Sequence, residues 1–226
     1  MYPLASPAAA ARQAMTQEMT RYYAERAAEY ERVYAQPAWQ GDLPIVRQRV
    51  LETFPGRRVF EVACGTGYWT ALLARVARSV HGEDVNAETL ALACARRYGV
   101  PVTLARADAY TPGIGGFDAG LAALWLSHVD LSRMDEFLTA FHSRLVPGAV
   151  VLMFDERGAP NRRAIATRTD AAGNRYEKRR ISAGREFEIV KNFFDGETLT
   201  RRLAPRGTDL VFEELERFWI LRYRAR

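Results

Sequence analysis

The sequence predicts an α/β fold, Rossmann-like, with a doubly wound and mostly parallel sheet of seven strands. Two observations carry this prediction. Short apolar runs alternate with helix-forming segments from residue 58 to residue 155, and the apolar run at 58–63 leads into a glycine turn within EVACGTG. Such alternation is typical of parallel strands whose crossover helices cover both faces of a sheet. A length of 226 residues suits one domain of this kind and is short for two.

The part of the chain that precedes the sheet is predicted to be helical. We expect a flexible arm over residues 1–14, because MYPLASPAAAARQ has little to bury, and a single domain over 15–226. A helical stretch over 15–35 ends before a proline, and a second helix over about 43–54 stops before a Pro-Gly pair. Residues 15–54 therefore form two helices in front of the first strand.

The central part of the chain supplies five strands of the predicted sheet. In doubly wound sheets, ligands bind at the carboxyl ends of the strands, so Cys64, Asp84, Asp108 and Trp125 are placed near a binding site. The predicted elements are strand 58–63, helix 67–77, strand 79–84, helix 87–98, strands 101–106 and 117–124, helix 132–145 and strand 149–155.

The C-terminal part departs from this alternation. Turn signals at AAGN (171–174) and SAG (182–184) separate strand-forming segments, which predicts a β-meander insertion over 157–191 after the fifth strand. Asp195 is placed to cap a helix through about residue 203. The last two strands, near 208–214 and 217–224, would complete the sheet as a hairpin.

The glycine turn after the first strand predicts an adenosine-containing ligand. Gly65 and Gly67 permit a sharp turn and let a ligand lie against bare backbone at a helix N-terminus. Asp84 stands 17 positions after Gly67, at the end of the next strand. A carboxylate in that position can accept hydrogen bonds from both ribose hydroxyls.

Other residues near the turn argue against a dinucleotide. Thr70 stands where the dinucleotide fingerprint has its third glycine, so NAD or FAD fits poorly. Glu61, just before the turn, would repel a pyrophosphate and suits a cationic amino acid moiety. Asp108 ends a further strand-like run and would lie beside Asp84. A cofactor without phosphates fits these residues better.

Three motifs occur in order along this part of the chain: EVACGTG at 61–67, HGEDVN at 81–86 and RADAY at 106–110. Together with the strand-and-loop segment at 117–129 and the Pro-Gly turn and strand at 145–154, they resemble the class I S-adenosylmethionine-dependent methyltransferases of the small-molecule type. The resemblance implies S-adenosylmethionine as the methyl donor and S-adenosylhomocysteine as the product. It also implies that the final strand runs antiparallel to the rest.

The resemblance further implies which residues hold the cofactor. Gly65 and Gly67 would lie against the methionine part and the ribose, Asp84 would bind the ribose hydroxyls, and Asp108 would bind the adenine amino group. The expected cofactor-binding residues are Tyr23, Tyr30, Glu61, Ala63, Cys64, Gly65, Gly67, Asp84, Val85, Asp108, Ala109 and Trp125.

Tyrosines in the first helix have two interpretations. Tyr23, Tyr30 and Tyr34 share one face, which is most simply a packing face. Similar segments in small-molecule methyltransferases form a lid over the cofactor, where electron-rich rings can meet a sulfonium cation. The sequence leaves both interpretations open.

Methyl transfer needs positioning above all, and a general base where the acceptor must lose a proton. His128 is the first candidate base, with helix capping or packing beside Trp125 as the alternative. Asp155, followed by Glu156, could bind a cationic acceptor or take its proton, or be an ordinary acid at a strand end. Tyr176 could project into the pocket or be a cross-strand aromatic residue.

Charge is concentrated in the insertion. The net charge is +5, yet residues 157–191 carry ten lysines or arginines and four acids. A basic cover over the pocket would favour an anionic acceptor such as a carboxylate or a phosphate ester. The alternative is that these are solvated charges that prevent edge-to-edge strand pairing.

Other classes of function fit less well. The two cysteines and three histidines lack metal-ligand spacing, so no metal is expected. No apolar run approaches a membrane span, and we expect a cytoplasmic protein. Nucleic acid is disfavoured because the loop ALWLSHV lacks the Asn- or Asp-Pro-Pro-aromatic motif of base-amino methyltransferases.

Besides a nucleic-acid methyltransferase, which stays possible but disfavoured, three alternatives to methyl transfer onto an oxygen or nitrogen of a small molecule stay open. One is attack on the aminopropyl carbon of the same cofactor with release of methylthioadenosine. The others are a module that senses the cofactor without turnover and a nicotinamide oxidoreductase. The sequence selects neither an acceptor nor an oligomeric state.

Overall fold

The computed structural model describes residues 7–158 and 165–226, and it describes side chains from residue 14 onward. A seven-stranded sheet forms its centre, with the strand order β3-β2-β1-β4-β5-β10-β9. The strands of the described chain are β1 (Arg58–Val62), β2 (Ser79–Asp84), β3 (Val102–Arg106), β4 (Phe117–Ala123), β5 (Leu145–Glu156), β6 (Arg168–Thr169), β7 (Arg175–Arg180), β8 (Glu186–Val190), β9 (Gly207–Glu214) and β10 (Phe218–Ala225).

Strand directions agree with the predicted fold class. β1 pairs in parallel with β2 and β4, β2 with β3, and β4 with β5. The final strand β10 runs antiparallel to β5 and forms a hairpin with β9. A separate antiparallel sheet, β6-β7-β8, is the predicted meander.

Helices flank the sheet and cover the cavity described below. The described helices are α1 (Pro7–Arg26), α2 (Leu43–Thr53), α3 (Tyr68–Leu73), α4 (Ala87–Cys94), α5 (Met134–His142) and α6 (Gly196–Leu203), with 3-10 segments at Ala27–Ala35, Pro37–Trp39, Leu126–His128 and Leu131–Arg133. Asp195 caps α6 as predicted, because its Oδ1 accepts a hydrogen bond of 2.8 Å from the Thr198 N–H. No helix in the described part of the chain has both the length and the apolarity to cross a membrane.

Several helix boundaries differ from the predictions. α1 begins at Pro7, inside the segment 1–14 predicted as an arm, because proline suits the first helical position and an alanine run follows it. The helix predicted over 15–35 changes to 3-10 geometry at Ala27. α3 is shorter than the predicted 67–77, because the chain after Leu73 bonds to the segment that enters β1: Val76 O accepts from the Gly56 N–H at 2.8 Å.

Two large cores lie on opposite faces of the sheet, since neighbouring strand residues point to opposite sides. Phe60 belongs to the core under α5, whereas Val59 belongs to the core under α2 and α3. A third, smaller cluster joins α1 to the meander and consists of Met19, Tyr22, Ile181, Phe187 and Ile189. We use the name "cap" for the described part of α1 with side chains (14–26) together with residues 168–190.

Candidate functional site

A cavity of about 1110 Å³ lies at the carboxyl ends of β1, β2 and β4, beneath the cap. Two sets of residues line it. After the ligands predicted there, we call the part formed by segments 62–69, 83–89 and 107–110 the cofactor half, and the part formed by α1, 125–133 and 168–176 the acceptor half. A volume of this size can hold a cofactor and a small second molecule together.

The two glycines of the turn have different tasks. Gly65 has φ +56, and a Cβ built on it would meet no atom within 4 Å, so its bare face opens onto the cavity. Gly67 has φ +78, and a Cβ there would come within 2.6 Å of Tyr98 Oη and 3.0 Å of Ala93 Cβ. Gly65 therefore leaves room for a ligand, whereas Gly67 lets α4 pack against the start of α3.

Asp84 is fixed at the edge of the cavity by its neighbours. Its Oδ2 accepts a hydrogen bond of 2.9 Å from the Gly65 N–H, and its Oδ1 accepts one of 2.8 Å from the Asn86 N–H. Thr89 Oγ1 adds a contact of 3.2 Å. Burial raises the pKa of Asp84, and these hydrogen bonds oppose the shift. The carboxylate is thus held in one orientation beside the glycine turn.

Val85, Asp108 and Ala109 also line this half of the cavity. The exposed Asp108 accepts a hydrogen bond of 2.9 Å from the Tyr110 N–H, which orients its carboxylate. Cys64 and Ala63 complete the lining beside the turn, and Ala63 takes the left-handed conformation with φ +51. These residues lie together at the carboxyl ends of β1, β2 and β3, as the strand topology predicts.

Glu61 does not line the cavity. It is buried in β1, and its Oε2 accepts a hydrogen bond of 2.6 Å from Thr70 Oγ1 in α3. Burial raises the pKa of Glu61 to about 8, with the Asp84 charge adding to the shift and the Thr70 hydrogen bond opposing it. At neutral pH the side chain is mostly uncharged and ties α3 to β1. Its contact with an amino group of the cofactor stays a prediction.

A row of tyrosine rings forms one wall of the cavity. Ring centroids are 5.8 Å apart for Tyr23 and Tyr30 and 6.2 Å apart for Tyr30 and Tyr34, and Tyr34 stacks on Tyr68 at 3.7 Å. Burial raises the pKa of Tyr30 to about 12, so its ring is neutral at physiological pH. Trp125, at the end of β4, belongs to the same lining. The wall offers aromatic faces of the kind that attract cations.

His128 lies in the acceptor half with both ring nitrogens hydrogen-bonded. Its Nε2 is 2.7 Å from Tyr23 Oη, and its Nδ1 is 2.7 Å from the carbonyl oxygen of Val190. Burial, followed by the charge of Lys191, lowers the pKa of His128 to about 4, against the opposing charge of Asp155. The imidazole is therefore neutral at physiological pH.

Tyr176 also faces the cavity. Its hydroxyl donates a hydrogen bond of 2.7 Å to Asp170 Oδ2, and the Arg168 guanidinium lies 3.5 Å from its ring centroid. Burial, with the adjacent Asp170 carboxylate, raises the pKa of Tyr176 to about 12. Tyr176 is thus a neutral, firmly held ring.

Asp155 is not part of the cavity lining and is completely buried. Its Oδ2 accepts a hydrogen bond of 2.9 Å from the Ser127 N–H, and its Oδ1 lies 3.2 Å from Lys191 Nζ. Lys191 also pairs with Glu156 at 2.8 Å. These contacts fasten the segment that carries His128 to the ends of β5 and β8.

Several cavity residues were not anticipated from the sequence. Asn174 is buried and donates hydrogen bonds of 2.9 Å to Asp130 and 3.1 Å to Asp170. Arg133 lies with its guanidinium 3.7 Å from the Tyr110 ring centroid. Their partners are far away in sequence or in loops, so no local pattern indicates them. Among the described residues, no cluster of histidines, cysteines and carboxylates could hold a metal ion.

Comparisons with known proteins bear on this site. Residues 59–148 match the family model described as a methyltransferase domain. The structure of DhpI in complex with SAM and HEP is 30% identical, with 93% of this chain and 98% of that chain covered and a TM-score of 0.79. The DhpI complex with SAH is 29% identical over 93% and 97% of the two chains, with a TM-score of 0.76.

A relative from Mycolicibacterium smegmatis (strain ATCC 700084 / mc(2)155), described as a probable S-adenosylmethionine-dependent methyltransferase, is 28% identical over 189 residues, or 76% of this chain and 69% of the relative. The PH0226 protein from Pyrococcus horikoshii OT3 is 15% identical, with 88% of this chain and 99% of that chain covered and a TM-score of 0.69, which shows a shared fold.

Proposed function

The chain belongs to the class I S-adenosylmethionine-dependent methyltransferases, and from this premise we propose that it transfers the methyl group to an oxygen or nitrogen atom of a small molecule. S-adenosylmethionine supplies an activated methyl group when bound. The observation that carries the proposal is the two-part cavity, whose acceptor half is lined by α1 and the meander. A concave site of this size suits a small acceptor better than a polymer.

The residues of the cofactor half fit S-adenosylmethionine. Gly65 leaves bare backbone where a Cβ would project into the cavity, and Asp84 presents an oriented carboxylate beside it. We propose that Asp84 binds the ribose hydroxyls and that Asp108 binds the adenine amino group. Tyr30 and Trp125 would face the sulfonium, since neutral aromatic rings attract a cation in a water-poor site.

The acceptor half would hold the acceptor molecule against the methyl group of the cofactor. We propose that Tyr23, His128 and Tyr176 surround the reacting group, because all three line the same part of the cavity. Positioning of the two reactants supplies most of the rate enhancement expected for a donor that is already activated. Asp155 would act indirectly, by holding the Ser127–His128 segment in place.

An anionic acceptor is the finer form of the proposal, and Arg168 is the residue that supports it. Arg168 lines the cavity beside Tyr176, although its guanidinium already pairs with Glu188 at 2.6 Å. Arg168 is the one basic residue of the insertion in the described lining, and the six carboxylates of that lining outnumber its two arginines, so the lining as a whole does not favour an anion. Lys178 and Arg185, which also belong to the insertion, pair with Glu186 and Glu25 on the surface. The basic residues at 162 and 163 lie outside the described residues.

Product analysis tests the proposal. The protein is incubated with S-adenosylmethionine and a small-molecule cell extract, and the spent cofactor and the modified compound are identified by mass spectrometry. We expect S-adenosylhomocysteine and a compound that has gained one methyl group. A parallel incubation contains tRNA as a possible acceptor. Release of methylthioadenosine, or methylation of the tRNA without methylation of any small molecule, would contradict methyl transfer to a small molecule.

A thermal-shift measurement tests cofactor use without an acceptor. S-adenosylmethionine is expected to raise the melting temperature, because a ligand that binds only the folded state stabilises it by mass action. NADH is the matched control, since it shares the adenosine but brings a pyrophosphate that the turn is not built to bind. Stabilisation by NADH alone would contradict the assigned cofactor site.

A further inference from the structure

Hydrogen bonds join a tyrosine hydroxyl, an imidazole and a backbone carbonyl at the acceptor half of the cavity. Tyr23 comes from α1, His128 from the 3-10 segment after β4, and Val190 from the end of β8. The two hydrogen bonds that join these three groups both measure 2.7 Å. Three elements distant in sequence thus meet at one imidazole ring.

The carbonyl of Val190 determines how the ring is protonated. A carbonyl oxygen can only accept a hydrogen bond, so His128 Nδ1 carries the proton and donates to it. In the neutral ring Nε2 then has a lone pair, and the Tyr23 hydroxyl donates to that lone pair. The imidazole has no nitrogen left for a direct bond to an acceptor, whereas the Tyr23 oxygen can still accept a hydrogen bond from one.

We propose that Tyr23 and His128 form a proton relay, in which Tyr23 receives the proton of a hydroxyl acceptor while it passes its own proton to His128. This inference rests on the proposed methyl transfer and specifies its proton path. It makes Tyr23 the residue that touches the acceptor and His128 the terminal proton acceptor.

The step balances in atoms and charge. The acceptor oxygen forms a bond to the methyl carbon as the bond between that carbon and the sulfonium sulfur breaks. The acceptor O–H proton moves to Tyr23 Oη, and the proton of Tyr23 moves to His128 Nε2. The site gains one positive charge on the imidazole and loses one at sulfur, so its net charge does not change. His128 releases its proton to solvent after the product leaves.

The charged groups near His128 influence how readily its imidazole accepts the proton. Lys191 at the end of β8 and Arg179 in β7 disfavour the imidazolium, and Asp155 at the end of β5 favours it. A weak base is sufficient here, because an oxygen that is being methylated becomes far more acidic than an imidazolium. Burial raises the pKa of Tyr23 well above its usual value, so Tyr23 stays protonated and conducts a proton without ionising.

The chain contains a matched control for this arrangement. His142 Nε2 is 2.9 Å from Tyr223 Oη, and His142 Nδ1 is 2.6 Å from the Leu138 carbonyl oxygen. Neither His142 nor Tyr223 lines the cavity. The pair repeats the hydrogen-bonding pattern in the core of the protein, where it can only contribute to structure.

The kinetic test compares Tyr23→Phe and His128→Asn with Tyr223→Phe, using the acceptor that product analysis identifies. For Tyr23→Phe and His128→Asn we expect kcat to fall on the order of 100-fold, the range of general acid–base catalysis, with the affinity for S-adenosylhomocysteine unchanged. Tyr223→Phe should lower the melting temperature and keep kcat. A solvent deuterium isotope effect on kcat should be present in the wild type and reduced in Tyr23→Phe.

The second measurement needs no acceptor. Long-range ¹H–¹⁵N NMR of the histidines, with S-adenosylhomocysteine bound, is expected to show His128 neutral with its proton on Nδ1, and the Nε2 signal should shift in Tyr23→Phe. A proton on Nε2, an identified acceptor atom that has no proton to lose, such as a carboxylate oxygen, or full kcat in Tyr23→Phe with a hydroxyl or an amine acceptor would overturn the relay. If the wild type makes no methylated product at all, the proposed function fails instead, so the two failures are distinguishable.

Discussion

The two halves of the cavity are supported in different ways. Residues of the cofactor half lie directly on the sheet: Gly65 follows β1, Asp84 ends β2, and a hydrogen bond of 2.9 Å joins these two neighbouring strand ends. Residues of the acceptor half depend on the cap, whose apolar contacts form a cluster of their own. From this difference we expect the cofactor half to open only with the whole domain, and the part of the acceptor half that the cap provides to open at a lower cost.

Polar contacts of the cap agree with this contrast. The Glu188 N–H donates to Glu18 at 2.9 Å, Ser182 bonds to Glu29, and Arg185 pairs with Glu25. The Arg185–Glu25 and Ser182–Glu29 contacts are at exposed positions, and exposed ion pairs contribute little to stability. Opening of the cap would therefore cost far less than unfolding of the sheet, and it would give an acceptor its way in.

The largest expected effect is on the free energy of unfolding, and one pair of variants compares the core of the sheet with the cap. Phe154 in β5 and Phe187 in β8 are both almost fully buried, the first in the core of the sheet and the second in the cap cluster. Phe154→Ala should lower the free energy of unfolding by about 3–5 kcal/mol. Phe187→Ala should act mainly on the cap and leave the urea midpoint of the sheet much closer to the wild type.

Amide hydrogen exchange, measured in the same two variants, shows which elements each substitution destabilises. In Phe187→Ala we expect faster exchange over α1 and β7–β8, with β1 and β4 unchanged, because local opening exposes only the cap. In Phe154→Ala we expect faster exchange throughout the sheet. Equal loss of global stability in both variants would show that the cap unfolds together with the sheet, and the contrast would then be invalid.

The next effect is the pH dependence that His128 confers. Its pKa is lowered from 6.5 to about 4 in the folded protein. Above pH 6.5 the imidazole is neutral in both the folded and the unfolded state, so it does not change the free energy of unfolding. As the pH falls from 6.5 to about 4, the unfolded state binds the proton first, and the free energy of unfolding decreases. The full decrease, reached below the folded pKa, is about 3 kcal/mol.

Urea unfolding at pH 7 and pH 5 measures this linkage, with His128→Asn as the comparison. The variant should lose less stability between the two pH values than the wild type does. His142, whose pKa burial also lowers, is retained in both proteins and so cancels from the difference. Identical pH dependence in the two proteins would mean that His128 is not the buried neutral base that the structure shows.

The third effect lies within the cofactor half and compares a buried acid with an exposed one. Asp84 is buried and fixed by backbone donors, whereas Asp108 is exposed. Asp84→Asn should weaken S-adenosylmethionine binding by about 1.5–3 kcal/mol, since a charge-assisted hydrogen bond in a desolvated site is lost. Asp108→Asn should cost less, because water competes for that contact.

Isothermal titration calorimetry with S-adenosylmethionine gives both affinities. Melting temperatures without ligand serve as the control, because Asp84 also accepts structural hydrogen bonds. A larger loss in Asp108→Asn than in Asp84→Asn would contradict the proposed ribose contact.

The position of Gly65, Asp84 and Asp108 at one edge of the sheet could be predicted from the sequence, because it follows from the order of the elements along the chain. A strand, a glycine turn and a helix N-terminus follow one another in the chain, and parallel strands bring Asp84 and Asp108 to the same edge. The separate tasks of Gly65 and Gly67 could not be predicted in this way. Only the packing of α4 shows that a side chain at Gly67 would collide with Tyr98.

The acceptor half could not be predicted to the same depth, because its contacts join distant segments. The sequence marks His128 as a candidate base, yet its partner Tyr23 is 105 residues away and is predicted to lie beside the cofactor. The sequence also allows Asp155 to contact the acceptor, whereas its ion pair with Lys191 depends on where β8 ends. Tertiary packing determines that the side chains of His128 and Asp155 are buried, and the local sequence pattern does not indicate it.

The smallest effect is expected from a single surface charge of the cap. Glu25→Gln removes the ion pair with Arg185, and Glu52→Gln removes a similar exposed pair with Arg49 on α2, away from the cap. Each change should cost less than about 1 kcal/mol, and less still at high salt. Only Glu25→Gln should speed hydrogen exchange in α1, because its partner Arg185 lies in the meander, whereas Arg49 and Glu52 both lie in α2. If exchange in α1 responds equally to both variants, or to neither, surface charge does not contribute to closure, and the apolar cluster around Phe187 must supply the contact alone.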